Sequence, residues 1–509
     1  MKQQQIEMSN RSFQITKINF QAKKDFTAFR FIIVSSLVSC ILMLGSCTRT
    51  LDIAPISSIT SANYWKTEGD VIGYMTGIYA KFRVTMNTTY YLEDRGDSFD
   101  PGLHQGMSTA WAQNLTENSA PNWVNFYNLI HHCNLLIKYA TPMKFSDPTT
   151  KNRVLAEAYF IRAYTYFYLV RVWGDVPLVL EPTESDDQPL LPRTGAVDIM
   201  KQIQFDIDKA LSLFPEAGYV NKSRASAPAC YALKADALLW KAKVLKGSQE
   251  DLTEAIAALD KVIPTVSLLP DFNKIYATDN RNNAEVVLSI YFQKDEYSPS
   301  YGYYLKPNGS LVNDAINKAD IPYAESAARS QYAPSAHLEA AFDENADDVR
   351  KAGSIIKGVR SDGSLVGVFD NKLKGTMYPD GRIFDCDIII YRLGGLLLLK
   401  AEALAALNKT SEAITALNKV RNRAGTGDYL GATDKLAVEK EILAERFREL
   451  YAELKRWPDL VRFHKEGVIN LYNMVPQLAG KSVPLFFPIS LAMHSLNPNL
   501  QQTEGYPAF

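Results

Sequence analysis

A mainly α fold, built of antiparallel helical hairpins and carrying a loop-rich irregular part, is predicted by three features of this sequence. The first is an internal repeat. Lys241-Ala242-Lys243-Val244-Leu245 followed by Glu254-Ala255-Ile256-Ala257-Ala258-Leu259-Asp260-Lys261-Val262 is echoed by Lys400-Ala401-Glu402-Ala403-Leu404 and Glu412-Ala413-Ile414-Thr415-Ala416-Leu417-Asn418-Lys419-Val420. The second is spacing: in the second part of each copy apolar residues recur at i, i+3, i+4 and i+7, the stripe of an amphipathic helix. Alanines at 242, 255 and 258, and at 401, 413 and 416, let paired helices approach closely, as in tetratricopeptide-type repeats. The third is that such pairs cannot bury their faces alone, so about four pairs are expected along the chain.

The chain begins with a leader. Residues 31–45 carry no charge, and Lys23, Lys24 and Arg30 stand before them, the pattern of a secretory signal. The run is too short to span a bilayer comfortably. It ends Leu44-Gly45-Ser46-Cys47, which looks like a bacterial lipobox, the site at which a cysteine is lipidated and becomes the new N-terminus. Residues 1–46 are thus expected to be a lipoprotein signal peptide and 47–509 the mature chain, held on a membrane by acyl chains that contribute about 0.8 kcal/mol per buried methylene. An ordinary cleaved signal or an uncleaved anchor is the alternative, and Met8 is a second candidate start.

The helical pairs follow in order. Residues 66–83 pair with 121–140, 154–173 with 196–214, a helix over 228–246 with the one that contains 254–262, and a helix over 387–407 with the one that contains 412–420. The stretch 387–407 is apolar enough to raise the question of a membrane span, but Arg392, Lys400 and Glu402 interrupt it. A buried helix is the better reading. Trp173-Gly174-Asp175-Val176-Pro177 reads as a helix stop, with Gly174 in the cap and Pro177 preventing continuation. Residues 84–125 and 264–335, rich in Tyr, Asn, Asp, Ser, Gly and Pro, read as long loops with short strands.

Composition narrows the function. Six of the 55 Lys and Arg and two of the 56 Asp and Glu lie in residues 1–46, leaving 49 basic against 54 acidic side chains. A net charge near −5 disfavours nucleic acid, whose phosphates need a basic surface. Cys133, Cys230 and Cys386 are an odd set and read as small buried apolar residues rather than a disulfide framework.

Motifs for catalysis, cofactors and metals do not hold up. Gly480-Lys481-Ser482 has Val475 where a phosphate loop needs glycine, and Gly425, Gly427 and Gly431 follow a helix with the wrong spacing for a dinucleotide. His131-His132-Cys133 are adjacent, so at most two could face one metal, and a helix surface and core are preferred. Glu93, Asp94, Asp97 and Asp100, like Asp186 and Asp187, read as solvated loop acids rather than glycosidase carboxylates or a calcium loop. Glu445, Glu449 and Glu453 share a helical stripe with Arg446, Arg448, Arg456 and Arg462 near enough to pair, which makes them scaffold. Neither enzyme activity nor a cofactor or metal is expected.

Ligand binding is expected from the loops. Sugars stack their C–H faces on aromatic rings and need amides, carboxylates and guanidinium groups to orient their hydroxyls. Tyr90, Tyr91, Asp94, Arg95, Trp111 and Asn114 form one such set, and Tyr297, Tyr301, Tyr303, Tyr304 and Asn308 another. The alternative is that these rings pack the loops onto the helices.

Several short motifs, in order, resemble the SusD/RagB nutrient-uptake lipoproteins of the Bacteroidetes. They are Leu51-Asp52-Ile53-Ala54-Pro55; Tyr64-Trp65-Lys66-Thr67-Glu68-Gly69-Asp70; Gly77-Ile78-Tyr79; Ala158-Tyr159-Phe160-Ile161-Arg162-Ala163 with Trp173-Gly174-Asp175-Val176-Pro177; Asn418-Lys419-Val420-Arg421-Asn422-Arg423; Arg456-Trp457-Pro458-Asp459; and Phe487-Pro488-Ile489-Ser490 with Asn497-Pro498-Asn499. The resemblance implies one SusD-like domain over 47–509, with an N-terminal part about 51–225, a C-terminal part about 226–509 and variable ligand loops at 84–125 and 264–335. It implies a non-catalytic outer-membrane lipoprotein at the cell surface that binds an oligosaccharide, or less often a peptide, and passes it to a SusC-like TonB-dependent transporter facing the helical wall. A purely assembly subunit and a glycoside hydrolase are the competing classes. The chain departs from the family pattern at Ser490, where a second proline is usual, and at Thr48-Arg49-Thr50, where surface export favours acids.

Overall fold

Thr67 opens the first helix with a reciprocal cap: its hydroxyl accepts the Asp70 N–H, and the Asp70 carboxylate accepts the Thr67 N–H at 2.7 Å. In the computed structural model, which describes residues 64–509 except 105, 186, 297–299 and 326–327, this helix is α1 (Glu68–Met86). It is followed by α2 (Val124–Ala140), α3 (Pro148–Trp173), α4 (Ala196–Leu213), α5 (Ala227–Val244) and α6 (Gln249–Val262). Two short helices, α7 (Ala336–Asp343) and α8 (Arg350–Ser354), lead to α9 (Leu393–Ala406), α10 (Thr410–Arg423), α11 (Lys435–Leu450), α12 (Arg456–Lys465), α13 (Leu471–Met474) and α14 (Leu491–Leu496). Asp147, Ser226 and Ser248 cap α3, α5 and α6. Cys47 and Tyr297 lie outside the described residues.

The four expected hairpins are present: α1 packs on α2, α3 on α4, α5 on α6 and α9 on α10. Contacts of α4 with α5 and of α6 with α9 join neighbouring pairs into a continuous wall. Ala255, Ala258, Ala401, Ala413 and Ala416 are buried in it, as close helix approach requires. Helix α3 ends at Trp173 with Gly174 at φ +72°, a left-handed conformation that glycine adopts cheaply. Residues 65–509 form one compact unit. No helix among the described residues is long and apolar enough to cross a membrane.

One expected helix is shorter than predicted. Residues 388–392 form a fully buried strand, β8 (Ile388–Arg392), paired antiparallel with β2 (Val286–Ile290), and only then does α9 begin. Three consecutive isoleucines favour strand over helix, and burial on both faces erases the alternation that would have revealed it. The other strands are β1 (Phe99–Pro101) with β3 (Tyr332–Pro334), β4 (Ile355–Val359) with β5 (Leu365–Asp370), and β6 (Thr376–Tyr378) with β7 (Gly381–Ile383).

The acidic stripe of α11 is interior. Glu445 and Glu449 receive Arg350 at 2.7 and 2.9 Å, and Glu449 also pairs with Arg392 and Arg423. Glu453, just past the helix, accepts Arg392 and Lys372. It stands between Ala452 and Leu454, both at positive φ (58° and 60°), so the bend that aims it holds two non-glycine residues in a costly conformation. Arg446 grips Asp459 with two bonds of 2.8 Å, and Arg462 grips Glu402. Removing one partner of such a pair costs about 3–5 kcal/mol, so these residues are scaffold. Cys133, Cys230 and Cys386 are buried free thiols.

Candidate functional site

The two loop segments are stitched into one surface by strands more than 200 residues apart in sequence. β1 and β3 pair Phe99 with Pro334, Asp100 with Ala333 and Pro101 with Tyr332. Beyond the ladder, Gly102 N–H donates to Gln331 O at 3.0 Å, His104 N–H to Ser330 O at 3.1 Å, and the Gln331 amide to Gly106 O at 3.0 Å. A Cβ at Gly102 would fall 2.0 Å from the Ser330 carbonyl oxygen, so this approach requires glycine.

On this surface Tyr303 and Tyr304 stand in the 3₁₀ turn Tyr301–Leu305, half-buried, with rings edge to face at 5.6 Å. Exposed Arg329 lies over both rings, at 5.4 and 5.7 Å. Sequence reasoning missed Arg329, which backbone bonds from residues 329–331 to residues 303–306 bring beside the tyrosines. Asn308 is half-buried and caps the next turn through Ser310. In the first loop, Tyr90 is half-buried with its hydroxyl on Thr109 at 2.7 Å, Trp111 is half-buried with its indole N–H on Phe99 O at 2.7 Å, and Asn114 is exposed.

The other members of the two sets serve the interior. Arg95 is buried, lies 4.2 Å over Trp457, and donates to Gln113 and to the carbonyls of Leu485 and Pro484. Burial pushes its pKa down to about 10. Tyr301 is buried with its hydroxyl on Ala452 O. Tyr91 packs among Phe126, Trp173 and Phe487, and burial raises its phenol pKa.

Asp94 and its acidic neighbours correct the expectation of solvated loop acids. Asp94 accepts the hydroxyls of Ser108 and Tyr332, each at 2.6 Å. Glu93 is buried, accepts Ser98 Oγ and Lys455 N–H, and burial raises its pKa to about 7. Asp97, buried too, is held below the usual carboxylate range because the bidentate Arg456 outweighs its burial. Each of these partners is remote in sequence or reached only through the folded loop, so the residue pattern alone could not assign them. His131 and His132 lie half-buried on α2 against Thr183 and Tyr74, and Cys133 faces the core.

A second feature was not anticipated. A cleft of about 660 Å³ opens between the start of α2, the 177–191 loop and α14, walled by Trp123, Tyr127, Leu178, Leu190, Leu191 and Leu496. Asn497 and Asn499 brace the loop by donating to Leu191 and Leu190 carbonyls. Its sequence signal was present: leucines crowded between prolines in Pro177-Leu178-Val179-Leu180 and Pro189-Leu190-Leu191-Pro192 are unusual for a solvated loop.

Residues 378–506 match the sequence model described as SusD family, and residues 70–239 the one described as starch-binding associating with outer membrane. The SusD-like protein P38 of Formosa agariphila is 28% identical over 94% of this chain and 99% of its own length. The solved structure of B. fragilis NanU superposes with a TM-score of 0.78 at 28% identity, covering 89% of this chain and 100% of that one. SusD-type sequence models, relatives and solved structures thus match this chain along most of its length. A further relative of SusD type, the starch-binding protein SusD of Bacteroides thetaiotaomicron, is 23% identical over 95% of this chain and 99% of its own length. The two matches take in the α1–α2, α3–α4 and α9–α10 pairs, the glutamates of α11 and the first loop set, while α6, Tyr301, Tyr303, Tyr304 and Asn308 lie between them.

Proposed function

We propose that the protein is a non-catalytic, lipid-anchored outer-membrane subunit that binds an oligosaccharide on the stitched loop surface and delivers it to a SusC-like TonB-dependent transporter. The observation that carries the ligand half is the ring pair Tyr303–Tyr304 under Arg329, beside a first loop that offers Tyr90, Trp111 and the Asn114 amide. Rings reaching solvent next to planar hydrogen-bonding groups suit the two faces of a sugar. The starch-binding descriptions of the matching model and of the Bacteroides relative favour a glycan over a peptide. The acids that a hydrolase would use are committed: Glu93, Asp94 and Asp97 already hold interior partners.

The aliphatic cleft supports the delivery half. Its leucine walls offer few groups for sugar hydroxyls and suit an apolar protein partner. Calorimetry of the mature protein against neutral glycans, acidic glycans and peptides tests the ligand reading: a glycan is expected to bind without release of reducing sugar. A peptide binding alone, or sugar release, would overturn it. Pull-down with a tagged chain is expected to recover a TonB-dependent transporter, and Leu190→Asp is expected to reduce that recovery.

A further inference from the structure

Where α3 and α5 meet α9, α11 and α12, the interior holds a cavity of about 20 Å³ lined by an excess of positive charge. Its walls include Arg171, Arg392, Arg446, Lys455 and Arg462 against Asp236, Glu453 and Asp459. Two of the acids are fully engaged elsewhere. Asp459 takes both bonds of Arg446 and one of Arg462, and Glu453 takes Arg392, Lys372 and the Tyr276 hydroxyl. Arg392 and Arg462 are likewise neutralised by Glu449 and Glu402. What remains is Asp236 facing two cations.

That single acid satisfies neither cation. It accepts the Tyr391 hydroxyl at 3.0 Å, and Arg171 Nη1 stands 3.7 Å away, beyond a normal hydrogen bond. Arg171 Nη2 is buried with no hydrogen-bond partner among the described residues. The Lys455 ammonium rests 4.9 Å over the Tyr391 ring, and the hydrogen bonds of Lys455 run from its backbone to Glu93. Burial lowers the Lys455 pKa only to about 8, so its ammonium is charged at neutral pH. A water could satisfy the donors but would leave one positive charge uncompensated inside the protein.

We propose that this cavity is a binding site for a single monovalent inorganic anion, chloride in ordinary surroundings, held between the Arg171 guanidinium and the Lys455 ammonium. One negative charge balances the pair with Asp236. The volume admits one guest of about water size, which excludes phosphate, sulfate and any carboxylate-bearing ligand. The anion would fasten the N-terminal hairpins to the C-terminal ones at a point distant in sequence from both loops.

The test is crystallisation of the mature protein with bromide replacing chloride, and collection at the bromine edge. An anomalous peak between Arg171 Nη2 and Lys455 Nζ is expected. Melting of the same protein in sodium chloride and in sodium gluconate at equal ionic strength is expected to differ by about 2–4 °C at saturation, chloride being the more stabilising. Lys455→Met, at a half-buried position, is expected to abolish both the peak and the difference. No bromide peak in the wild-type cavity, density for water alone, equal melting in the two salts, or a chloride effect that persists in Lys455→Met would each overturn the proposal.

Discussion

Around Glu449 and Glu453 guanidinium and carboxylate groups answer one another, whereas around Tyr303 and Tyr304 half-buried rings and an exposed Arg329 reach solvent. Both regions are rich in the residue types that binding sites use, yet they do opposite work. The helical region brings Arg350, Arg392, Arg423 and Lys372 from four segments onto three glutamates and shields them from water. The loop region does the same with Glu93, Asp94, Arg95 and Asp97 and leaves other side chains outside. A polar residue's role is therefore set by whether the folded chain supplies its partner.

The comparison breaks most decisively at Glu449. Glu449→Ala takes one acid from Arg350, Arg392 and Arg423 together, leaving the last two to share Glu285 and Glu453 in the interior, and a loss of about 3–5 kcal/mol is expected in urea unfolding. A change below about 1 kcal/mol would place the network on a par with surface pairs and sink the contrast.

Acid sharpens it. Burial alone would raise the pKa values of Glu402 and Glu453, but Arg462 with Lys243, and Arg392 with Lys372, outweigh burial and hold both at about 2. Because the folded values lie below the unfolded one, their stabilisation is complete above about pH 4.5 and is lost as pH falls towards 2. About 3 kcal/mol from each is expected to disappear across that window, read as a falling urea midpoint. Glu93 has the opposite sign: its pKa, raised to about 7, makes it a cost that grows as pH rises from about 4.5 through 7. A stability curve flat from pH 5 down to pH 2 would contradict the ion network.

A smaller effect is expected at Arg95, the loop residue that behaves like a helical one. Arg95→Met strips donors from two tail carbonyls and from Gln113, costing about 2 kcal/mol. Amides near residues 484–487 are expected to exchange hydrogen faster, with glycan affinity unchanged. Lost affinity without faster exchange would return Arg95 to the ligand site.

What could be read in the sequence follows the same division. The hairpins were legible because alanine spacing and a 3.6-residue stripe are local signals, as in the paired repeats around 241–262 and 400–420. The start of α9 was not, since Ile388-Ile389-Ile390 gives no period when both faces are buried. Loop aromatics were legible as a class, but their fates depended on distant partners: Asp94 on Tyr332, Asp97 on Arg456, Tyr301 on Ala452. The leucine cleft needed three segments to meet before it existed.

The finest test lies at Tyr303 and Tyr304, where stability and binding should separate. Both rings are half-buried and their turn is held mainly by backbone bonds, Tyr303 N–H to Ser300 O, Arg329 N–H to Tyr303 O and Gln331 N–H to Tyr304 O. Truncation removes ring surface without cutting those bonds, so Tyr303→Ala and Tyr304→Ala are expected to change unfolding stability by less than about 1 kcal/mol. If the rings carry a sugar, losing one stacking face lowers glycan affinity about 5- to 30-fold, the reverse of Arg95→Met. Calorimetry and urea unfolding on the same preparations decide the matter. Should both tyrosine variants keep full affinity for a glycan that the wild type binds, the half-buried rings belong to packing, and the ligand must be sought around Trp111 and Asn114.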